Sequence, residues 1–147
     1  MANPETTSKP KRILVIDPDD WSREFLASVI KMLGAEFRAA TSAQEASEVM
    51  EEMSFDLVIT DLKLPESRHL LVHIKSRFPE IPLICMVCQR SHLAQVGFLD
   101  QVEIVSKPAK FDEIIRKIRN AMHRMDLKET EDQFRRLKRE AFRLFLE

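Results

Sequence analysis

Glycine is almost missing from this sequence: only Gly34 and Gly97 occur in 147 residues. Neither a GxGxxG dinucleotide loop nor a Walker phosphate loop can be built from them, which removes the commonest nucleotide-binding readings of an α/β sheet. Cysteine is as scarce. Two thiols, Cys85 and Cys88, cannot hold a disulfide scaffold at this length, so a reducing, cytoplasmic location is expected. Long apolar runs are lacking too. No stretch nears the ~20 residues of a membrane span, and the polar start, Met1–Lys11, has no apolar centre of a secretion signal. An excess of one charge sign is also absent. Lys and Arg number 23 against 24 Asp and Glu, for a formal net charge of −1. That balance argues against a nucleic-acid-binding surface over the whole molecule and leaves room only for a local basic patch.

What is present is a globular composition, 44% apolar with 32% charged, enough to bury a core. After a proline-containing polar lead-in at residues 1–10, expected to be disordered, two textures alternate. Short apolar runs at Ile13–Ile16, Leu57–Ile59, Leu83–Val87 and Val102–Val105, with a weaker one at Glu36–Ala40, predict five strands. Segments with apolar residues three and four apart predict helices at Trp21–Leu33, Ala43–Met53, His69–Phe78, His92–Leu99 and Phe111–Met125. Strands apolar on both faces need cover on both sides, as parallel sheets have. Five βα pairs in about 115 residues predict an α/β domain with a doubly wound, five-stranded parallel sheet and helices on both faces. Gly34 is placed to end the first helix in a left-handed cap. Ser42 with Glu45 resembles a capping box for the second.

In open α/β sheets, chemistry collects beyond the carboxyl ends of the strands. The first strand runs into Asp17, followed by Pro18, Asp19 and Asp20. The third runs into Asp61 and Leu-Lys-Leu-Pro65, and the fifth into Ser106-Lys107-Pro108. Neighbouring strands with these ends would bring two carboxylates together with one ammonium nearby, and because close carboxylates repel, a divalent cation is an obvious relief. Such an arrangement suits phosphoryl transfer, where the protein supplies mainly positioning and charge neutralisation.

ILVIDPDD, FDLVITDLKLP and VSKP, in this order and spacing, resemble the receiver domain of two-component response regulators over residues 11–126. The resemblance implies a flavodoxin-like receiver in phosphorelay signalling, a signalling module and not an enzyme. Asp61 would accept a phosphoryl group from a sensor histidine kinase or a phosphotransfer protein, and Lys107 would contact it. Mg²⁺ would be held by Asp17, Asp61 and the backbone carbonyl of Lys63. The family has a second consecutive acid where this chain has Pro18, for which Asp19 is the candidate substitute, although an N-cap role for Asp19 or Asp20 is the simpler reading. The family's strand-four hydroxyl is matched by Val87 and its switching aromatic by Ile104, and the loop after Pro65 is about two residues short and lacks the usual glycines. Weakened phosphorylation or switching is therefore expected. The alternative is a pseudo-receiver, a phosphorylation-independent docking or dimerisation module. A haloacid-type phosphatase is disfavoured, because Lys63 stands where its second Asp belongs.

The tail, 127–147, has no Gly or Pro. Phe134, Leu137, Ala141 and Leu144 follow a/d spacing, and Thr130 with Gln133 forms a possible cap. A helical extension is expected, serving a homodimer or linking to an effector domain or protein. The cluster Arg135–Arg139 lies among acids, as on a solvated helical face, so direct nucleic-acid binding is not expected. Cys85 and Cys88 spell CxxC, but odd spacing in a strand puts them on opposite faces. His69 and His73 share a helix face without a third metal ligand. Trp21 is expected to fill a core or an interface.

Overall fold

The computed structural model describes residues 10–97, 99, 102–123 and 138–141. In chain order the elements are β1 (Arg12–Ile16), α1 (Asp20–Met32), β2 (Glu36–Ala40), α2 (Ala43–Glu52), β3 (Leu57–Asp61), α3 (Ser67–Arg77), β4 (Leu83–Val87), a 3₁₀ segment (Arg90–Gln95), β5 (Val102–Ser106) and α4 (Phe111–His123). The strands form one parallel sheet in the order β2-β1-β3-β4-β5, the doubly wound topology expected. The expected lead-in at residues 1–9 and Thr130, Gln133, Phe134, Leu137 and Leu144 of the tail lie outside the described residues. Residues 138–141 are helical.

Alternation along each strand sends side chains to two separate cores. Ile13 and Val15 of β1, Leu57 and Ile59 of β3, and Ile84 and Met86 of β4 pack with Leu26, Ile30, Ile114 and Ile118 from α1 and α4. Leu14, Ile16, Val58, Leu83, Cys85 and Val87 face the other way, onto Val49, Met50, Leu71 and Ile74 from α2 and α3. The strands are short because they cross the molecule once, and their C-terminal ends share one edge.

Local signals set the boundaries of the helices. Gly34, at φ 76°, closes α1 with two bonds: its N–H donates to the Lys31 carbonyl at 3.0 Å, and the Ala35 N–H donates to the Ile30 carbonyl at 3.2 Å. At α2 the Ser42 hydroxyl accepts from the Glu45 N–H at 3.1 Å. The return bond of the box is displaced by one residue, since the Glu45 carboxylate accepts from Thr41 N–H at 2.6 Å.

Two expectations are corrected. The segment after β4 is a 3₁₀ turn, not the α-helix expected at His92–Leu99. Its bonds span three residues, from Val96 N–H to the Leu93 carbonyl and from His92 N–H to the Gln89 carbonyl. Eight residues containing Gly97 are too few to recover the cost of helix nucleation, and only Val96 reaches the core as a buried anchor. Of the two roles expected of Trp21, filling the core is overturned, since it is 69% exposed and stacks on Phe25 at 5.7 Å between ring centroids.

Candidate functional site

Strand register brings the first two residues of the site together. β1 and β3 are adjacent, with Ile16 opposite Thr60, so Asp17 and Asp61 stand side by side at the same sheet edge. Lys107 arrives from two strands away. Val87 pairs with Ser106 at the end of β4 and β5, and the Lys107 N–H donates to the Val87 carbonyl at 2.7 Å, starting the side chain beside the two acids. Val87 thus contributes a backbone oxygen, and its side chain is buried. The Lys107–Pro108 peptide bond is cis.

The two carboxylates are held in the same way. Asp17 Oδ1 accepts from the Asp19 N–H at 2.9 Å, and Asp61 Oδ1 accepts from the Lys63 N–H at 2.7 Å. Each is a side chain bonded to the backbone two residues on, a geometry that short acidic side chains adopt readily in turns. The second oxygens of both face one ammonium: Lys107 Nζ donates to Asp17 Oδ2 at 2.9 Å and also to Asp61 Oδ2. Both acids are only 1% exposed. Burial disfavours the Lys107 ammonium, but the bonds to Asp61 and Asp17 and their negative charge outweigh it, so the amine is held above its ordinary value.

Two further side chains belong to this site and were not singled out from the sequence. Ser22 Oγ accepts from Lys107 Nζ at 3.0 Å and donates to Asp19 Oδ2 at 2.9 Å. Arg23 donates to the Asp17 carbonyl at 2.7 Å and pairs with Asp20, which fixes the loop between β1 and α1. A signal for Ser22 did exist. It lies one turn before Leu26 on the stripe Leu26, Val29, Ile30 and Leu33, where a small polar residue on the inward face has to find a polar partner.

Asp19 caps α1. Its Oδ2 accepts from the Ser22 N–H at 3.0 Å as well as from the hydroxyl, and these bonds hold its carboxyl below the usual range. Lys63 lies in the loop after β3, its N–H bonded to Asp61 and its side chain exposed. That loop is tight. Leu62 N–H bonds the Met86 carbonyl, Ser67 Oγ donates to the Leu62 carbonyl at 3.1 Å, and Glu66 turns the chain at φ 63° where a glycine would be expected. Ile104 is half-buried against the α2–α3 core.

The donor chemistry fits a sparse divalent-cation site. Asp17 and Asp61 aim one oxygen each at a common point, which the Lys107 ammonium occupies, and Mg²⁺, which takes one or two protein carboxylates with water and phosphate oxygens, would bind these oxygens in exchange for the amine. Pro18 adds no oxygen from a side chain, and Asp19 is engaged at the helix. Among the described residues no group of three or more His, Cys, Asp or Glu is placed to hold a metal ion. His69 and His73 are exposed on α3, and Cys85 is buried while Cys88 is exposed. Burial pushes the Cys85 thiol up to about 12, which removes it as a nucleophile.

Residues 13–119 match the family described as "Response regulator receiver domain". Response regulator protein FleR of Pseudomonas aeruginosa is 34% identical over 77 residues, which cover 51% of this chain and 16% of that protein. CAI-1 autoinducer sensor kinase/phosphatase CqsS of Vibrio cholerae is 29% identical over 115 residues, 74% of this chain and 17% of that protein. The chain thus spans about a sixth of the length of these curated relatives. The crystal structure of a response regulator receiver domain protein from Clostridium thermocellum superposes with a TM-score of 0.71 at 27% identity, covering 80% of this chain and 98% of that one. No helix among the described residues is long and apolar enough to cross a membrane.

Proposed function

We propose that this chain, which belongs to the response regulator receiver family, serves phosphorelay signalling by accepting a phosphoryl group on Asp61. The observation that carries the reading is the single ammonium of Lys107 bonded to both Asp17 and Asp61. An Asp61 oxygen forms a bond to phosphorus as the bond from phosphorus to the donor's histidine nitrogen breaks. The electron pair leaves with the imidazole, which takes up a proton. Asp61 is oriented for this by the Lys63 N–H, and Lys107 offers positive charge to the incoming phosphoryl oxygens. Receiver domains generally bind Mg²⁺ at the phosphorylation site; here Asp17, Asp61 and the Lys63 carbonyl are the proposed ligands, and the ion supplies charge neutralisation for the transferring group. With Pro18 in place of an acid, binding is weak and phosphorylation slow.

The donor is a sensor histidine kinase or phosphotransfer protein, the site of action is the cytoplasm, and the chain acts as a signalling module without an enzymatic turnover of its own. The a/d stripe of the tail supports a homodimer or a link to an effector. Val87 and Ile104 favour a second reading, a pseudo-receiver that docks or dimerises without phosphate. Neither side chain offers the hydroxyl or aromatic ring through which a phosphoryl group biases a conformational equilibrium.

Incubation with acetyl phosphate and millimolar Mg²⁺, followed by intact mass, separates the two. The phosphoacceptor reading expects slow gain of one phosphoryl mass, abolished in Asp61→Asn. It also expects Trp21, in the first turn of α1 and four residues after Asp17, to report Mg²⁺ by fluorescence. No label and no fluorescence change would leave the docking module.

A further inference from the structure

An ammonium has three hydrogens to donate, and Lys107 has three acceptors: Asp17 Oδ2, Asp61 Oδ2 and Ser22 Oγ. All three hydrogens are committed. Two of those acceptors are charged and one is neutral. A hydrogen bond to an ionised acceptor is roughly twice as strong as one between neutral groups, so Ser22 is the partner most easily given up. We infer that Ser22 is a positioning residue for Lys107: its hydroxyl holds the third hydrogen, parks the ammonium between Asp17 and Asp61, and is exchanged for a phosphoryl oxygen when Asp61 is modified. The inference rests on the phosphoacceptor reading for its second half and on geometry alone for its first.

The surroundings support an orienting role. Ser22 is 7% exposed and the Lys107 side chain 16%, so the hydroxyl is an acceptor built into the site while the amine stays within reach of solvent exchange. Its own hydrogen is aimed at Asp19 Oδ2, which turns an oxygen lone pair toward the amine. Asp19 is anchored in turn by the Ser22 N–H. The first turn of α1 therefore sets the rest position of a lysine that comes from the far side of β4.

The test compares wild type, Ser22→Ala and Ser22→Thr in the full chain. Two measurements are made on each: the NMR signal and hydrogen exchange of the Lys107 ammonium without phosphodonor, and the labelling rate with acetyl phosphate and Mg²⁺. Ser22→Ala is expected to speed ammonium exchange and to raise the labelling rate, each about fivefold, because one hydrogen is no longer held. Ser22→Thr, which keeps a hydroxyl, is expected to restore both. An Ala variant that melts lower yet leaves the Lys107 signal and the labelling rate unchanged would reduce Ser22 to a helix cap and overturn the inference. If no variant is labelled while ammonium exchange still quickens in Ser22→Ala, the hold stands and the phosphoacceptor reading is what fails.

Discussion

Lys107 places one positive charge against two carboxylates that water scarcely reaches, and no other cation among the described residues is bonded to either of them. Removing it leaves both acids facing each other without compensation. Lys107→Met is expected to cost about 3 kcal/mol in chemical denaturation, with Mg²⁺ restoring part of the loss by taking the ammonium's place. The pH dependence has a definite sign. The amine titrates higher in the folded protein than its ordinary 10.5. Its stabilisation is therefore complete below that value and is lost as pH rises through the folded one. The urea midpoint of wild type should fall above about pH 10.5 by more than that of Lys107→Met. Asp17, Asp61 and Lys107 were legible in the sequence because each ends an apolar strand. For Ser22 the sequence signals only a small polar residue on an inward stripe, because the partner that places it in the site, Lys107, lies on another element, and Arg23 reaches the site through the Asp17 backbone carbonyl, which no side-chain pattern encodes.

At the scale of elements, two left-handed positions make an internal comparison. Gly34 occupies φ 76° at no steric cost, and a Cβ there would meet nothing within 4 Å. Only the conformation opposes Gly34→Ala, which should lower stability by about 1 kcal/mol. Glu66 holds φ 63° while carrying a side chain, beside the loop that shapes Asp61. Glu66→Gly should gain about 0.5 kcal/mol, because relief of strain exceeds the extra chain entropy. Urea denaturation of both variants checks the opposed signs. The caps at Gly34 and Ser42 were readable from neighbouring residues, because caps are local bonds. The segment after β4 was misread because apolar spacing over eight residues cannot separate a 3₁₀ turn from a short α-helix.

For the whole molecule, the relatives show receiver sequence within proteins of different kinds. This chain covers about a sixth of FleR and of CqsS, a response regulator protein and a sensor kinase/phosphatase by name, so a similar segment occurs in both. If the tail assembles the chain, as proposed, sedimentation should give a dimer for the full sequence and a monomer for a version ending at Met125. Equal masses for the two would remove the dimer proposal.

The alternation of strands and helices, the fold class and three of the site's residues follow from the order of residues alone, because periodicity and the charged residues at strand ends are written in neighbouring positions. It takes the folded chain to bring one ammonium to both acids, to make Ser22 complete its set of partners, and to commit Asp19 to the helix. Those depend on register across β1, β3, β4 and β5 and on the direction of each side chain. Residues 85 positions apart in the chain, Ser22 and Lys107, share a hydrogen bond that no local pattern encodes.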